Sequence, residues 1–214
     1  MNTLDTKPLT EAITTLYYVH DPMCSWCWAY RPSMLLLREK LPGQVAWQNV
    51  LGGLAPDSDE PMPEQTRLMV QGHWRRIETT LGTRFNFDFW TRNQPRRDTY
   101  KACRAVIAAS YQHAEERMIE SIQKAYYLRA MNPSEPLILV DLAVELGLDR
   151  SRFVEDFGSA QTEAELRSQL LLRDRLMVRS FPSLVLEHNS LLSLIGHDYV
   201  DYSNSLAEIE SQIR

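Results

Sequence analysis

Asp21-Pro22-Met23-Cys24-Ser25-Trp26-Cys27-Trp28 is the stretch on which the reading of this 214-residue chain turns. Two cysteines two residues apart are either a redox pair or half of a metal site, and the flanking sequence decides between them. Upstream, residues 14–20 are β-branched and aromatic with a short apolar run, which is strand composition. Asp21-Pro22-Met23 ends that strand. Residues 26–41 then carry a helical pattern up to the breaker pair Pro42-Gly43. Residues 44–51, with Val45, Trp47 and Val50, give a second strand ended by Gly52-Gly53. Strand, helix and strand within about 40 residues make a βαβ unit, whose strands run parallel with a right-handed crossover.

Beyond this unit the pattern changes. Residues 56–63 are acidic and proline-rich, a linker composition, and 64–177 read as almost entirely helical. Val70, Trp74, Ile77 and Leu81 lie on one helix face that stops at Gly82. Phe85, Phe87 and Phe89 alternate, so a short extended piece is expected there. Tyr100, Cys103, Val106, Ile107 and Tyr111 mark another apolar stripe, and Met118, Ile119, Ile122 and Tyr126 a further one. Ser134 is expected to cap a helix that begins at Pro136 and stops at Gly147. A short helix ends at Gly158, and Thr162 with Glu165 reads as a capping box. Residues 183–187 and 191–195 form a hairpin through His188, Asn189 and Ser190, and a last helix covers 199–213. Residues 1–13 are expected to be loosely ordered.

Composition narrows the function classes. An apolar fraction of 44% supports a buried core, and a net charge of −5 gives no reason to expect nucleic acid or an anionic membrane as partner. No run approaches the ~20 apolar residues of a membrane span. Residues 1–10 lack the apolar core of a secretory signal, so a cytoplasmic location is expected. In that compartment a cysteine pair is more often catalytic or metal-binding than a structural disulfide. Structural zinc wants four ligands. Only Cys103 and scattered histidines remain to complete such a set, so no metal is expected. Cys103, on an apolar helix stripe, reads as a small core hydrophobe.

A strand that hands Cys24 to a helix start aims unpaired backbone N–H groups and the positive end of the helix dipole at its sulfur, which favours a thiolate. Cys27, one turn further on, is placed to attack a mixed disulfide formed at Cys24. Pro32 interrupts the hydrogen-bond ladder of the same helix. Ser180-Phe181-Pro182 directly precedes the third strand, where a cis X-Pro bond would mark a tight functional turn.

Together, the 21–28 motif, Pro32, the Gly52-Gly53 strand end and Phe181-Pro182-Ser183 resemble the DsbA-like thioredoxin-fold family, and within it a signal-less branch of protein-disulfide isomerases. The resemblance covers essentially the whole chain. It implies an α/β thioredoxin-like fold (βαβ…ββα) interrupted by a large all-helical insertion. The parts would be residues 1–58, the insertion 59–177, and 178–214. It implies a thiol–disulfide oxidoreductase or isomerase with Cys24 attacking, Cys27 resolving and a cis Pro182 beside them. The backbone of Phe181, with Ser25 and Trp26, would meet substrate. The partner would be a protein or small-molecule thiol or disulfide. No cofactor is expected beyond glutathione as a reductant, and the oligomeric state stays open.

One position departs from the family pattern. Many such enzymes hold a buried acid six residues before the first cysteine, and this chain has Tyr18. His20 or Asp21 could take its role in proton transfer. Two alternatives stand beside the oxidoreductase. One is a glutathione-dependent transferase or isomerase of the kappa-class or hydroxychromene carboxylate isomerase type, although those use a single serine or cysteine. The other is a non-catalytic peptide-binding module. The basic stretch Arg75, Arg76, Arg84, Arg92, Arg96, Arg97, Lys101 and Arg104 reads first as a solvated helix face, and second as a seat for an anionic peptide or glutathione.

Overall fold

The computed structural model describes residues 14–214; residues 1–13, including the expected loosely ordered start, lie outside them. β1 (Thr14–His20), α1 (Ser25–Lys40) and β2 (Val45–Leu51) form the expected βαβ unit. β1 and β2 are parallel, with Thr14 opposite Val45 and His20 opposite Leu51. β3 (Ser183–His188) returns antiparallel to β1, and β4 (Leu191–Ile195) pairs with β3. The resulting sheet order is β2-β1-β3-β4. Asn189 and Ser190 both take positive φ (51° and 64°), the two-residue turn whose twist suits a hairpin.

The period-two pattern of β1 sends its side chains to two different cores. Leu16 and Tyr18 pack with Tyr30, Met34 and Leu37 of α1 and with Ile209 of α9 (Ser203–Gln212). Tyr17 and Val19 pack on the opposite face with Val50, Val185, Leu176 and Val178. The sheet is therefore covered on both sides, as a fully buried central strand demands.

Between β2 and β3 lie α2 (Glu64–Leu81), α3 (Phe89–Arg92), α4 (Tyr100–Ser110), α5 (Glu115–Leu128), α6 (Pro136–Glu145), α7 (Arg150–Phe157) and α8 (Ala160–Arg175). The chain thus has the thioredoxin-like α/β fold with a helical block set into it. Trp74 of α2 is the centre of this block, ringed by Phe85, Phe87, Phe89, Trp90, Tyr126 and Tyr127 at centroid distances of 5.0–5.9 Å. The same apolar cluster includes Met23, Ala29 and Leu51 of the βαβ unit, so the block and the cysteine motif share one core.

Local features differ from the sequence expectations at four places. The Phe85-Phe87-Phe89 alternation does not make a strand, because all three rings are drawn onto Trp74 and Phe89 opens α3. Ser134 does not cap α6; its hydroxyl donates to the Asp98 carbonyl (3.1 Å), and Pro136 starts the helix unaided. α8 starts at Ala160 with Ser159 as its cap, accepting from the Thr162 N–H (3.1 Å), so Thr162 lies inside the first turn. The last helix starts at Ser203, because Asp198 folds 198–201 into a turn by accepting from the N–H groups of Val200 and Asp201.

Candidate functional site

The site begins with the turn that links β1 to α1. The Asp21 carbonyl accepts from the Cys24 N–H (3.0 Å), while its carboxylate Oδ1 accepts from the Met23 N–H (2.8 Å). Cys24 is the N-cap residue of α1, with an extended backbone (φ −85°, ψ 119°) and no side-chain cap. Its carbonyl accepts from Trp28, so Cys27 lies within the first helical turn. Cys24 and Cys27 are both present as thiols, the first 7% exposed and the second fully buried. Cys24 therefore has an opening to solvent and Cys27 has none.

Opposite Cys24 stands the loop before β3. The Phe181–Pro182 bond is cis, and the Cys24 thiol donates to the Phe181 carbonyl at 3.6 Å. The Phe181 ring lies over Gly52 at the end of β2. A Cβ on Gly52 would sit 2.1 Å from a Phe181 ring carbon, closer than any real contact. The Gly52 carbonyl is fixed in turn by Arg173 Nη1 of α8 (2.7 Å). The glycine pair at the strand end thus serves two purposes: Gly52 admits the ring, and Gly53 takes a positive φ of 61°.

Asp21 turns its carboxylate towards the end of β2 and the start of α4. Its Oδ2 accepts from the Leu54 N–H (2.7 Å) and the Thr99 hydroxyl (2.7 Å), with the Cys103 thiol at 3.8 Å. Burial pushes the carboxyl up from its usual range, and these donors pull it back. The residue is a clip that ties the cysteine turn to the end of β2 and the start of α4. Cys103 is fully buried in the apolar cluster, as its stripe suggests, and also contributes to that clip.

His20 lies at the end of β1, fully buried, with neither ring nitrogen hydrogen-bonded. Burial lowers its pKa to about 4, so the imidazole is neutral. Tyr18 stacks on it, with centroids 4.8 Å apart and ring planes within 3°. Burial, followed by the neighbouring cysteines, raises the Tyr18 phenol. The Cys27 thiol is likewise pushed well up, first by burial and then by its contact with Cys24, while a backbone hydrogen bond from Asp21 acts in the opposite direction.

Beside Cys24 a cavity of about 320 Å³ opens between the βαβ unit and the helical block. Ser25 and Trp26 form its rim, with Met62 and Met69 as apolar wall. Arg96, Arg97 and Arg179 also line it, along with His73. Trp26 is held by Tyr199 (centroids 5.3 Å) and by the Arg76 guanidinium (5.8 Å from the ring centroid). Asp98, the acid in this lining, is neutralised by Lys101. The structure thus brings Cys24, Ser25, Trp26 and Phe181 to one cavity wall, and places Cys27, His20 and Tyr18 behind it.

Sequence reasoning did not find Arg179, His73, Met62, Met69 or Tyr199 at this site. The basic stretch was a partial signal. Arg96 and Arg97 leave the helices and line the cavity from the loop before α4. Arg104 is spent on Asp57 and Glu163, and Arg92 on Asp88. Arg179 lies next to Phe181-Pro182 and Met62 within the acidic linker, so neither stands in a recognisable pattern of its own.

Residues 17–199 match the family model described as Thioredoxin. A solved structure of a candidate protein disulfide isomerase from Nitrosomonas europaea is 27% identical, with a TM-score of 0.81, covering 92% of this chain and 96% of that one. The cytosolic disulfide reductase DsbM from Pseudomonas aeruginosa is 26% identical, with a TM-score of 0.74, covering 94% and 98%; DsbM has also been solved with GSH. The ClpXP adapter protein SpxH of Halalkalibacterium halodurans is 24% identical over 90% of this chain, and the SpxH of Bacillus subtilis 20% identical over 79%. The chain spans 66% and 56% of the lengths of these two curated relatives. With its cysteine pair at the head of α1 and a helical block between β2 and β3, the chain belongs to the thioredoxin family in its DsbA-like form.

Proposed function

We propose that the protein is a thiol–disulfide oxidoreductase whose working groups are Cys24 and Cys27. The observation that carries this is the pair itself. One thiol is barely exposed at a helix start, facing the Phe181 carbonyl, and the second is buried directly behind it.

In the reductive direction, the Cys24 thiolate attacks one sulfur of a substrate disulfide, and the other sulfur leaves as a thiolate and takes up a proton. Cys27 then loses its proton and attacks the Cys24 sulfur. An intramolecular disulfide forms and the second substrate thiol is released. Two electrons have passed from the dithiol to the substrate, and two equivalents of a thiol such as glutathione restore the dithiol. In isomerisation a second thiolate of the substrate, in place of Cys27, attacks the mixed disulfide, forms the rearranged substrate disulfide and releases Cys24 as a thiolate. Ser25, Trp26 and the Phe181 backbone line the approach to Cys24, where a substrate chain or a small disulfide would lie. The reductive direction, a cytoplasmic setting and glutathione as reductant draw support from DsbM, the cytosolic reductase that this fold resembles.

The test is disulfide exchange with insulin and with a small mixed disulfide. Cys24→Ser is expected to abolish both reactions. A Cys24→Ser variant as active as the parent would refute the proposal. Glutathione binding that survives loss of Cys27, with no exchange, would favour the kappa-class alternative. The SpxH relatives supply a specific ground for a second, protein-holding reading, since they are named adapters. A Cys24→Ser, Cys27→Ser protein that still suppresses client aggregation, in a chain without exchange activity, would favour that reading.

A further inference from the structure

Resolution of a mixed disulfide requires Cys27 to shed a proton, yet Cys27 is sealed from solvent and its thiol is held in the protonated form by burial. The acid that could accept the proton by sequence proximity is committed elsewhere: both oxygens of Asp21 accept from Met23, Leu54 and Thr99, and Cys103 approaches Oδ2. Behind Cys27 runs a crevice lined by Tyr18, His20, Arg31, Asn49, Glu116 and Gln123, with no room for a free water molecule. The crevice holds no water-sized space in this structure, so its side chains are the nearest groups that could take the proton.

His20 stands in this crevice as a buried base with two unpartnered nitrogens, an arrangement that costs stability and calls for a reason. Glu116 of α5, in the same lining, is partly exposed, accepting from Asn49 Nδ2 (2.7 Å) and from Arg38. The charged and titratable groups facing His20 are Tyr18 on its own strand, Cys27 and Arg31 on α1, and Glu116 on α5. Of these, Glu116 favours the imidazolium and Arg31 opposes it.

We infer that His20 is the proton acceptor for Cys27 and that Glu116 is the group through which the proton reaches solvent. This rests on the oxidoreductase reading above. As Cys27 sulfur bonds to Cys24 sulfur and the substrate thiolate departs, the His20 imidazole, whose nitrogens are not hydrogen-bonded in the dithiol form, moves into reach of Cys27 and takes its proton. The proton then passes to the Glu116 carboxylate and on to water, and the departing thiolate takes a proton from solvent. His20 returns to neutral, so no other reactant is needed. Tyr18, whose phenol faces the Cys27 thiol, supplies a hydrogen bond to the forming thiolate where the family acid would otherwise stand. Because the imidazole is a weak base in this setting, its protonated form is transient and the transfer accompanies the attack.

The experiment mixes the reduced protein with a stoichiometric nitrobenzoate disulfide whose released thiolate is coloured. The first burst of colour reports attack by Cys24, the second resolution by Cys27, and Cys27→Ser identifies the second by its loss. His20→Phe is expected to slow the second phase by about 10²-fold, the lower range for a lost general base, and to leave the first unchanged. In the parent the second phase should vary little between pH 6 and 8; in the variant it should rise about tenfold per pH unit, as expected when hydroxide must remove the proton. Glu116→Gln, a change at a partly exposed residue, should slow the second phase by a smaller factor and introduce the same pH slope. If the parent shows no first phase, the oxidoreductase reading itself fails. If both phases are present and Glu116→Gln, together with His20→Phe where it folds, leaves the rate and pH slope of the second phase unchanged, the His20 inference is overturned.

Discussion

Gly52 offers a sharp test of how the site is held together. A methyl group added there would lie 2.1, 2.3 and 2.9 Å from three carbons of the Phe181 ring. All three are inside van der Waals contact, so Gly52→Ala must move either the ring or the end of β2. The β2 end is fixed by the Gly52 N–H to the His20 carbonyl and by Arg173 on the Gly52 carbonyl. The ring, half-buried at the cavity edge, is the softer element. Overpacking of this kind costs about 1–3 kcal/mol. For a chain of this length that is a fall of roughly 2–12 °C in Tm. In a Phe181→Ala background the obstacle is gone. Gly52 has no positive φ to protect, so the same substitution should become neutral or stabilising by about 0.4–1 kcal/mol. The assay is thermal and urea unfolding of the four proteins of the double-mutant cycle, with an expected coupling of about 1–3 kcal/mol. Because Phe181 carries the carbonyl that faces Cys24, Gly52→Ala should also slow insulin reduction. An equal loss of stability in both backgrounds would show that the ring is not what Gly52 accommodates, and the argument would fail.

Other consequences can be measured directly. Thr99→Val removes a hydroxyl from the buried Asp21 carboxylate and should cost about 1.5–3 kcal/mol in urea unfolding, as for a hydrogen bond to a charged group. His20 has a pKa lowered to about 4 in the folded protein against 6.5 in the unfolded chain, so the unfolded chain binds the extra proton between these values. Its contribution to stability is therefore present above pH 6.5 and is lost as pH falls towards 4, on the order of 3 kcal/mol in all. His20→Phe should flatten that part of the stability–pH curve relative to the parent. Arg97→Gln and Arg179→Gln, on the cavity rim, should each slow exchange with oxidised glutathione by roughly two- to fivefold at low salt. That is the scale of an exposed ion pair, and a neutral hydroxyethyl disulfide should be unaffected. Loss of the difference at high ionic strength would confirm screening.

The parts of this molecule governed by local pattern were legible in the sequence. The β-branched and aromatic run of 14–20, the breakers Pro42-Gly43 and Gly52-Gly53, and the His188-Asn189-Ser190 turn fix β1, α1, β2 and the hairpin within a residue or two. Trp74 and Ile77 were identified as buried by spacing alone. What was not legible depended on distant partners. Ser134 looks like a helix cap, but the Asp98 carbonyl claims its hydroxyl. Phe85, Phe87 and Phe89 have the alternation of a strand, but Trp74 collects their rings. At the site, Cys24, Cys27, Phe181 and Pro182 were found through a motif. Arg97, Arg179 and His73 come from three separate segments, and only the folded chain places them around one cavity. The direction in which Asp21 points could not be read either, because its partners Leu54, Thr99 and Cys103 are 33 to 82 residues away.

This division has a consequence for how the protein would choose its substrates. The βαβ unit supplies both thiols, the helix start and the buried pair Tyr18 and His20, which on the proposed reading would together set reactivity. The helical block supplies Met69, His73 and the two neighbouring arginines of the 93–99 loop, which decide what can approach Cys24. Met23, Ala29 and Leu51 belong to the same apolar cluster as Trp74, so the two parts cannot slide past each other without breaking that core. The Asp21 clip to Thr99 adds a polar tie at the same junction. The cavity should therefore be preformed, with its charge fixed relative to the Cys24 sulfur. Selectivity would then arise from complementarity to a rigid wall, and changes to the wall should alter which disulfides react while leaving the chemistry of Cys27 and His20 as it is.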